Sequence, residues 1–333
     1  MLYKNAPLKV LPFFPSSYPD EILYSVLSRY HHRACNNRPG ITNLSVFDTE
    51  QISTNIDFSF NIRALHSKLP SCTSRTSQNL IETLTLYKLY KPFNTKEWSD
   101  RVVEEMLGPF SHLSRMYKMP RMIGRGSESK GISTYYRKTK NQETRFLRHC
   151  PICLRTDSEN LGEAYWHRSH QIYGIDVCHK HGSRLIESDV PVKILYNRSK
   201  YTTPADANFR PAKSDMRCDQ QLLSLANIVN RLLNTDHSLN LDSIKCWYGK
   251  KLTKLGFRVE RSNFHDLKED IAKFYARKGF CVEPVLKLKY GRVIWLENLL
   301  EHQGYTMHPL DHLMFINFLR TECRNAPPTG DLL

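Results

Sequence analysis

Three cysteines and one histidine form two pairs whose spacing suits the binding of a metal ion. Cys150 and Cys153 are separated by two residues, and Cys178 and His181 repeat that separation farther along the chain. Zn²⁺ is commonly held by three thiolates and one imidazole arranged as a tetrahedron. Because four protein ligands leave no coordination position for water, we expect a structural zinc site rather than a catalytic one.

Two features of this segment leave alternatives open. His179 could replace His181 as the fourth ligand, although His181 preserves the spacing of the first pair. The pairs could also match by chance. The intervening residues 154–177 are enough for a hairpin or short helix that joins the pairs, and we expect Trp166 to pack around the metal. Whether Arg168 and His170 point outward stays open.

The chain carries a large excess of positive charge. Its 333 residues include 48 Lys and Arg against 33 Asp and Glu, a formal net charge of +15 at pH 7. Such an excess is typical of proteins that bind polyanions, and we expect double-stranded DNA as a partner. A merely solvated basic surface is the alternative. Hydrophobic residues make up 40% of the chain, which argues against wholesale disorder.

The positive charge is densest between residues 115 and 148, where glycines and two adjacent tyrosines interrupt the basic residues. Lys and Arg neutralise phosphates, glycine permits close backbone approach, and tyrosine can stack on a base. We therefore expect phosphate contacts here, with a solvated linker as the alternative. The candidate DNA-binding residues are Arg121, Arg125, Lys130, Arg137, Lys138, Lys140 and Arg145.

Membrane and secretory classes are not favoured by the sequence. The apolar run near the start is short and broken by prolines, unlike a signal peptide, and no run approaches the roughly 18 residues that cross a bilayer. Six of the nine cysteines sit singly, which is typical of reduced thiols in a cytosol. We expect a cytoplasmic protein. These single cysteines are Cys35, Cys72, Cys218, Cys246, Cys281 and Cys323.

Helical periodicity dominates on both sides of the cysteine–histidine segment. A helix is predicted from Pro19 to about residue 33, and further short helices follow up to about residue 110, an arrangement compatible with a helix-turn-helix unit. Strands and loop are predicted over 183–215, and helix returns from Gln220. The last helix carries Leu310, Leu313, Met314 and Phe318 on its apolar face, with Asn317 off that face or at its edge.

These patterns predict a mainly α fold with a small zinc-binding module. The expected parts are an N-terminal helical domain (1–114), a basic linker (115–149), a Cys₃His zinc finger (150–205), a C-terminal helical domain (206–325) and a tail (326–333). The tail contains two prolines and a glycine and has no folding pattern. It is typical of a linker, so we expect that the natural chain continues.

Several segments resemble the TniQ family of bacterial transposon proteins. Residues 18–25 (YPDEILYS) match its opening Pro-x-Glu-x-x-x-Ser pattern through Pro19, Glu21 and Ser25. The segments CPIC at 150–153, YWHRSHQ at 165–171 and CHKHG at 178–182 match its zinc segment in order and spacing. Residues 86–93, and 295–296 followed by 308–312, are similar to the TnsD branch.

The resemblance implies a role in choosing the target of a cut-and-paste transposon. Members of the family recognise a target and recruit the AAA+ regulator TnsC, which brings the transposase. Some instead dock on a CRISPR Cascade complex, where guide RNA supplies the specificity. Both readings stay open at the level of sequence, with the TnsD-type role favoured.

An enzyme is the competing class of function. The best metal ligands close their own coordination shell, and no paired carboxylates lie near the histidines in the sequence. The Gly-x-x-x-x-Gly-Lys-Ser/Thr pattern of a phosphate-binding loop does not occur either, so any ATPase work is expected in a partner. We expect a recruiter and not a catalyst.

The extended N-terminal segment is a candidate surface for binding that partner. Leu11, Phe13, Phe14 and Tyr18 lie among prolines. Aromatic side chains on a proline-stiffened segment are typical docking elements, because proline lowers the entropy lost on binding. The alternative is that these side chains pack back on the helical bundle.

Overall fold

Helices dominate the part of the chain that the structure describes, and the mainly α class predicted from the sequence is confirmed. The computed structural model describes residues 10–50, 56–70, 75–108, 146–172, 174–192, 200–210, 220–235, 240–257, 264–276 and 309–323. Across these ranges, no helix combines the length and apolar character needed to span a bilayer.

The first group of helices is short because each helix has a local stop or start signal. Pro39 stands in the first turn of its helix, where its missing N–H costs nothing, and Asp48 ends that helix in a left-handed conformation. Thr76 and Thr95 cap two others by accepting hydrogen bonds from Asn79 and Trp98 backbone N–H groups. The helices are α1 (Leu23–Arg33), α2 (Pro39–Phe47), α3 (Ile62–Lys68), α4 (Ser77–Leu84), α5 (Tyr87–Tyr90) and α6 (Lys96–Leu107).

The start of α1 differs from the sequence prediction. The helix begins at Leu23 and not at Pro19, because Asp20 adopts a left-handed backbone conformation with φ of 59°. Glu21 is extended and pairs in antiparallel fashion with His167. The residues expected to form a first helical turn therefore hold a distant part of the chain.

The central part of the chain combines two strands and one helix. Strand β1 (Phe146–His149) pairs antiparallel with β2 (Ile186–Pro191), with Arg148 opposite Glu187 and His149 opposite Ile186. Helix α7 (Pro151–Leu161) follows β1 directly and ends at Gly162, whose positive φ of 78° suits glycine. Residues 146–149, which the sequence assigns to the basic linker, thus form a strand.

The C-terminal helices form a layer with a strongly apolar interior. They are α8 (Gln220–Asn234), α9 (Leu241–Lys254), α10 (Phe264–Ala276) and α11 (Pro309–Glu322). Helix α11 is buried from Pro309 to Leu319 on every side. Asn317, predicted off the apolar face or at its edge, is nevertheless only 1% exposed, because neighbours cover the whole circumference of the helix.

One hydrophobic core runs through all three parts of the described chain. It includes Val26 and Leu80 of the first helices, Trp166 of the central part, and Leu225 and Leu313 of the last helices. The cysteines of the two spaced pairs form a separate cluster, flanked by Ile152 and Leu185. The central part therefore has a small centre of its own beside the common core.

Candidate metal centre

The first cysteine pair is shaped by the start of α7. Cys150 is the N-cap residue with an extended backbone, and Pro151 occupies the first helical position. The Cys153 backbone N–H lies 3.5 Å from Cys150 Sγ, so both sulfurs face the same side of the first turn. The Cys-Pro-x-Cys motif thus orients its two thiol groups through ordinary helix capping.

The second pair is shaped by a tight turn. The backbone N–H of Cys178 donates to the Ser183 carbonyl at 2.9 Å, and that of Gly182 donates to the Cys178 carbonyl at 2.8 Å. Gly182 has a φ of 62°, in the left-handed region that glycine adopts without strain. The turn directs Cys178 and His181 toward the first pair.

The four predicted ligand atoms meet at distances that suit one metal ion. Nδ1 of His181 lies 3.5, 3.3 and 3.7 Å from the sulfurs of Cys150, Cys153 and Cys178, and the Cys153 and Cys178 sulfurs are 3.7 Å apart. A tetrahedron with Zn–S of about 2.3 Å and Zn–N of about 2.0–2.1 Å has edges of about 3.8 and 3.6 Å. The donor set and its dimensions therefore fit Zn²⁺.

The electrostatics of the cluster also favour a cation. Hydrogen bonding among the sulfurs lowers the pKa of Cys150, whereas the Cys150 thiolate raises the pKa of Cys178 to about 11 and that of Cys153 further. Three thiols this close cannot all ionise without a shared positive charge. Ser183 Oγ lies 2.9 Å from Cys150 Sγ and can support it as an outer-sphere donor. The structure selects His181 over His179, whose Nδ1 lies outside this group.

Next to this cluster, the opening segment of the chain forms backbone hydrogen bonds with the segment between the two pairs. Ile22 N–H donates to the Trp166 carbonyl at 3.1 Å, and Arg168 N–H donates to the Asp20 carbonyl at 2.7 Å. Trp166 N–H donates to Ser25 Oγ at 3.0 Å. Two segments that carry the family resemblance are therefore one structural unit.

A buried carboxylate and a buried guanidinium strengthen this unit. Glu21 accepts from Arg29 Nη1 at 2.9 Å, from Ser25 Oγ at 2.8 Å and from Tyr18 N–H at 2.8 Å. Burial raises the pKa of Glu21, and the Arg29 charge partly offsets that rise. Arg29 Nε also donates to Glu163 at 2.7 Å, just beyond α7. Glu21 and Ser25 are residues of the opening motif, so the motif itself could have indicated this network.

Arg168 points inward and joins three regions of the molecule. Its Nη1 donates to the carbonyls of Glu82 and Thr85 at 2.9 and 3.2 Å, and its Nη2 donates to Asn234 Oδ1 at 3.0 Å. Its Nε lies 3.4 Å from Asp20 Oδ1. The side chain is 2% exposed, so the outward orientation left open by the sequence does not occur. His170 is likewise buried, at 1% exposed.

The N-terminal candidate residues are not gathered into one exposed patch. Leu11 is 1% exposed, and its N–H donates to the Lys68 carbonyl at 2.8 Å. Phe13 and Phe14 pack against one ring, that of Tyr30, at centroid distances of 5.2 and 5.9 Å. The Tyr18 ring lies 4.9 Å from that of Tyr165. Their role in partner binding stays a prediction.

The candidate DNA-binding residues all lie outside the described part of the chain. Arg121, Arg125, Lys130, Arg137, Lys138, Lys140 and Arg145 fall within residues 109–145. Only residues 146–148 of the basic stretch are described, and Arg148 there donates to Asp176 Oδ1 at 3.1 Å and to the Ile172 carbonyl at 2.6 Å. Arg148 therefore has partners within the protein.

Comparison with known proteins places these features in a family. The model of the TniQ family matches residues 12–185, more than half of the chain, and that range contains both the opening motif and the two ligand pairs. The chain is also 24% identical over 310 residues to the transposon Tn7 transposition protein TnsD of Escherichia coli. This similarity covers 90% of the chain and 56% of that relative.

Proposed function

The chain belongs to the TniQ family, and on that premise we propose that it selects target sites for DNA transposition. The observation that carries the proposal is the similarity to a Tn7 TnsD protein across 90% of the chain. In this role the chain binds target DNA and recruits a TnsC-like AAA+ ATPase, which brings the transposase. The similarity to TnsD favours this role over that of an adaptor for a Cascade complex.

The charge and the architecture both support a binding protein. A net charge of +15 suits a partner rich in phosphates. The buried contacts of Glu21, Arg29 and Arg168 give the opening segment and the central part a fixed relative position. A fixed frame is what a protein needs to present two surfaces, one for DNA and one for an ATPase, at a constant separation.

We further propose that Cys150, Cys153, Cys178 and His181 hold a structural Zn²⁺. Bound there, the ion supplies cross-linking and charge neutralisation, and the four protein ligands fill its tetrahedral shell. Cys150 caps α7, while Ser183 supports the Cys150 sulfur from the second turn. The residues of the site therefore fix α7 relative to the turn. In the proposed role the chain is a recruiter and catalyses no reaction itself.

The decisive experiment is a transposition assay with the transposase and ATPase of the same element. With the chain present, insertions should concentrate at one site, and without it they should be lost or dispersed. Unchanged insertion in its absence would reject target selection. An insertion site that moved with a supplied guide RNA would replace direct target reading by the Cascade role.

Recruitment is tested separately by capture of the ATPase on immobilised chain in the presence of nucleotide and target DNA. Capture that depends on the chain supports the recruiter role, and its absence with correctly folded chain would reject that role. Metal-dependent nicking of DNA by the purified chain, lost on His179→Ala, would instead restore the enzyme hypothesis.

A further inference from the structure

A second cluster of metal-binding side chains lies beside the Cys₃His group. His149, His167 and His170 each place one ring nitrogen within 4.8 Å of the others. Their side chains are 0%, 0% and 1% exposed. His149 directly precedes the first cysteine ligand, so the two clusters meet at the end of β1.

Several nitrogens of this cluster have no hydrogen-bond partner. Both ring nitrogens of His170 and Nδ1 of His167 are buried and unpaired. A buried polar group left without a partner costs about 1–3 kcal/mol, and native proteins normally satisfy such groups with protein, water or an ion. Three unpaired nitrogens at one place therefore point to a missing ligand.

The other contacts of the cluster resemble those around metal-bound histidines. His167 Nε2 donates to Asp157 Oδ2 at 2.8 Å, and His149 Nε2 lies 2.8 Å from the Tyr165 carbonyl. A ligating histidine commonly donates its second ring N–H to a carboxylate or a backbone carbonyl in this way, which fixes the ring and leaves the other nitrogen for the metal.

His149 presents a particular conflict that a cation would resolve. Its Nδ1 also faces a carbonyl oxygen, that of Cys150, at 3.0 Å. A neutral imidazole has only one N–H and cannot donate to both carbonyls. The nitrogen that carries no proton gains nothing from its carbonyl oxygen, and rotation of the ring away from that oxygen would turn its lone pair toward a metal ion.

Charged and aromatic neighbours define the remaining surroundings. Asp20 Oδ2 lies 3.8 Å from His167 Nδ1 and is a carboxylate able to complete a four-coordinate shell. The Tyr165 ring stacks on that of His167 at 4.2 Å, and the Trp166 ring lies 5.9 Å from that of His149. Aromatic walls reduce access of bulk water, which strengthens binding of an ion by the few polar groups inside.

We propose that His149, His167 and His170 bind a second divalent transition-metal ion of the zinc type. Imidazole nitrogens suit Zn²⁺, Ni²⁺ and Cu²⁺, and three of them form a well-known donor set. An ion about 2.1 Å from each nitrogen requires separations of about 3.4 Å, so the rings move together from spacings of up to 4.8 Å. The ion ties β1 to the segment that binds the N-terminal helices.

The first test is the metal content of the full chain purified with Zn²⁺ and freed of loosely bound ions. We expect two zinc ions per chain, measured by inductively coupled plasma mass spectrometry. A single ion per folded chain would overturn the proposal. This outcome leaves the Cys₃His proposal intact, so the two proposals fail separately.

The second test assigns the extra ion to the histidines. His170→Gln should lower the metal content from two ions to one, while the control His66→Gln, on the exposed side of α3, should keep two. Two ions retained by folded His170→Gln would overturn the assignment.

Cobalt substitution provides a readout that does not need the variant to fold. In the wild-type chain, a mild chelator should remove one Co²⁺ with loss of weak visible bands and no loss of the thiolate charge-transfer band. Cysteine-free ligation produces no such charge-transfer band. Parallel loss of both signals would place every ion at the thiolates and reject the histidine site.

Discussion

The central part of the chain and the C-terminal helices both pack on the first helices, but through different kinds of contact. Residues 146–192 are attached by directional contacts, such as those of Arg168 with Glu82, Thr85 and Asp20. Helices α8 and α11 contribute mainly apolar side chains to the core, including Leu225 and Leu313. The first attachment depends on particular atoms, and the second depends on volume and burial.

This difference determines how each region tolerates change. Apolar packing accepts substitutes of similar volume at a cost usually under about 1.5 kcal/mol. A buried ion or hydrogen bond that loses one partner leaves the other unsatisfied, which costs several kcal/mol. We therefore expect the central part to be sensitive to conservative substitutions that the C-terminal helices tolerate.

The largest effect is expected from removing a metal ligand. Cys153→Ser should lose the ion of the Cys₃His site and unfold the central part, because metal binding in such sites contributes about 10 kcal/mol or more. Zinc content and limited proteolysis measure the two consequences. The control Cys246→Ser changes an exposed cysteine on α9 and should leave both unchanged. A folded Cys153→Ser chain with wild-type zinc content would contradict the site.

Loss of the buried guanidinium should come next. Arg168→Met keeps much of the side-chain volume but leaves Asp20 and two carbonyls without their partner, at a cost of about 3–5 kcal/mol in the free energy of unfolding. Urea denaturation with saturating zinc measures it. Arg155→Met is the control, because Arg155 is 69% exposed and its ion pair with Glu159 is long, at 4.0 Å. An equal, small effect of both substitutions would remove the contrast between directional and apolar attachment.

The C-terminal helices supply the opposite half of the comparison. Leu313→Ala should cost about 2–5 kcal/mol through lost burial and a cavity, since Leu313 is fully buried. Leu313→Met should cost less than about 1.5 kcal/mol. Arg168→Lys keeps the positive charge, yet it should cost more than Leu313→Met. The reason is that an ammonium group cannot reproduce the planar set of N–H donors of a guanidinium group. The reverse order in urea denaturation would contradict the proposed difference.

The parts that sequence could predict are those governed by short-range rules. The ligand pairs were predictable because metal geometry requires fixed ligand types at fixed spacing. Helices α4, α6, α8 and α11 were predictable from their apolar periodicity. In the same way, the segment 183–215 was expected to hold strand, and β2 lies there.

The parts that sequence could not predict depend on contacts between distant segments. The start of α1 is displaced because Asp20 and Glu21 bind residues near position 167, and no local pattern encodes that pairing. Asn317 lies inside the core because neighbours surround α11, which the periodicity of one helix does not reveal. The histidine cluster joins His149 to His167 and His170 only after folding.

A smaller effect should appear as a pH dependence of the central attachment. Burial alone would raise the pKa of Asp20, but the nearby His167 and the charge of Arg168 dominate and lower it from 3.8 to about 2. A carboxyl with a lowered pKa in the folded state stabilises above its unfolded pKa, and that contribution is lost as pH falls toward 2. The shift corresponds to about 2 kcal/mol.

Asp20→Asn isolates this contribution, because asparagine tolerates the left-handed backbone of this position. The difference in unfolding free energy between wild type and variant should be constant above about pH 5 and should shrink between pH 4 and pH 2. A difference that does not change with pH would mean that the Asp20 charge does not stabilise the attachment.

The smallest expected effect concerns the basic stretch, whose charges are proposed to serve DNA rather than the fold. Arg137→Ala with Lys138→Ala should leave the unfolding free energy unchanged, in contrast to Arg168→Met. It should weaken binding to specific and random duplexes alike, because phosphate contacts carry no sequence information. Each lost contact flattens the plot of log affinity against log salt by about one unit, so the slope should fall by up to about two. If affinity and slope both stayed at their wild-type values, the part of the basic stretch that precedes β1 would be a solvated linker, and the DNA contacts would have to be sought among the basic residues elsewhere in the chain.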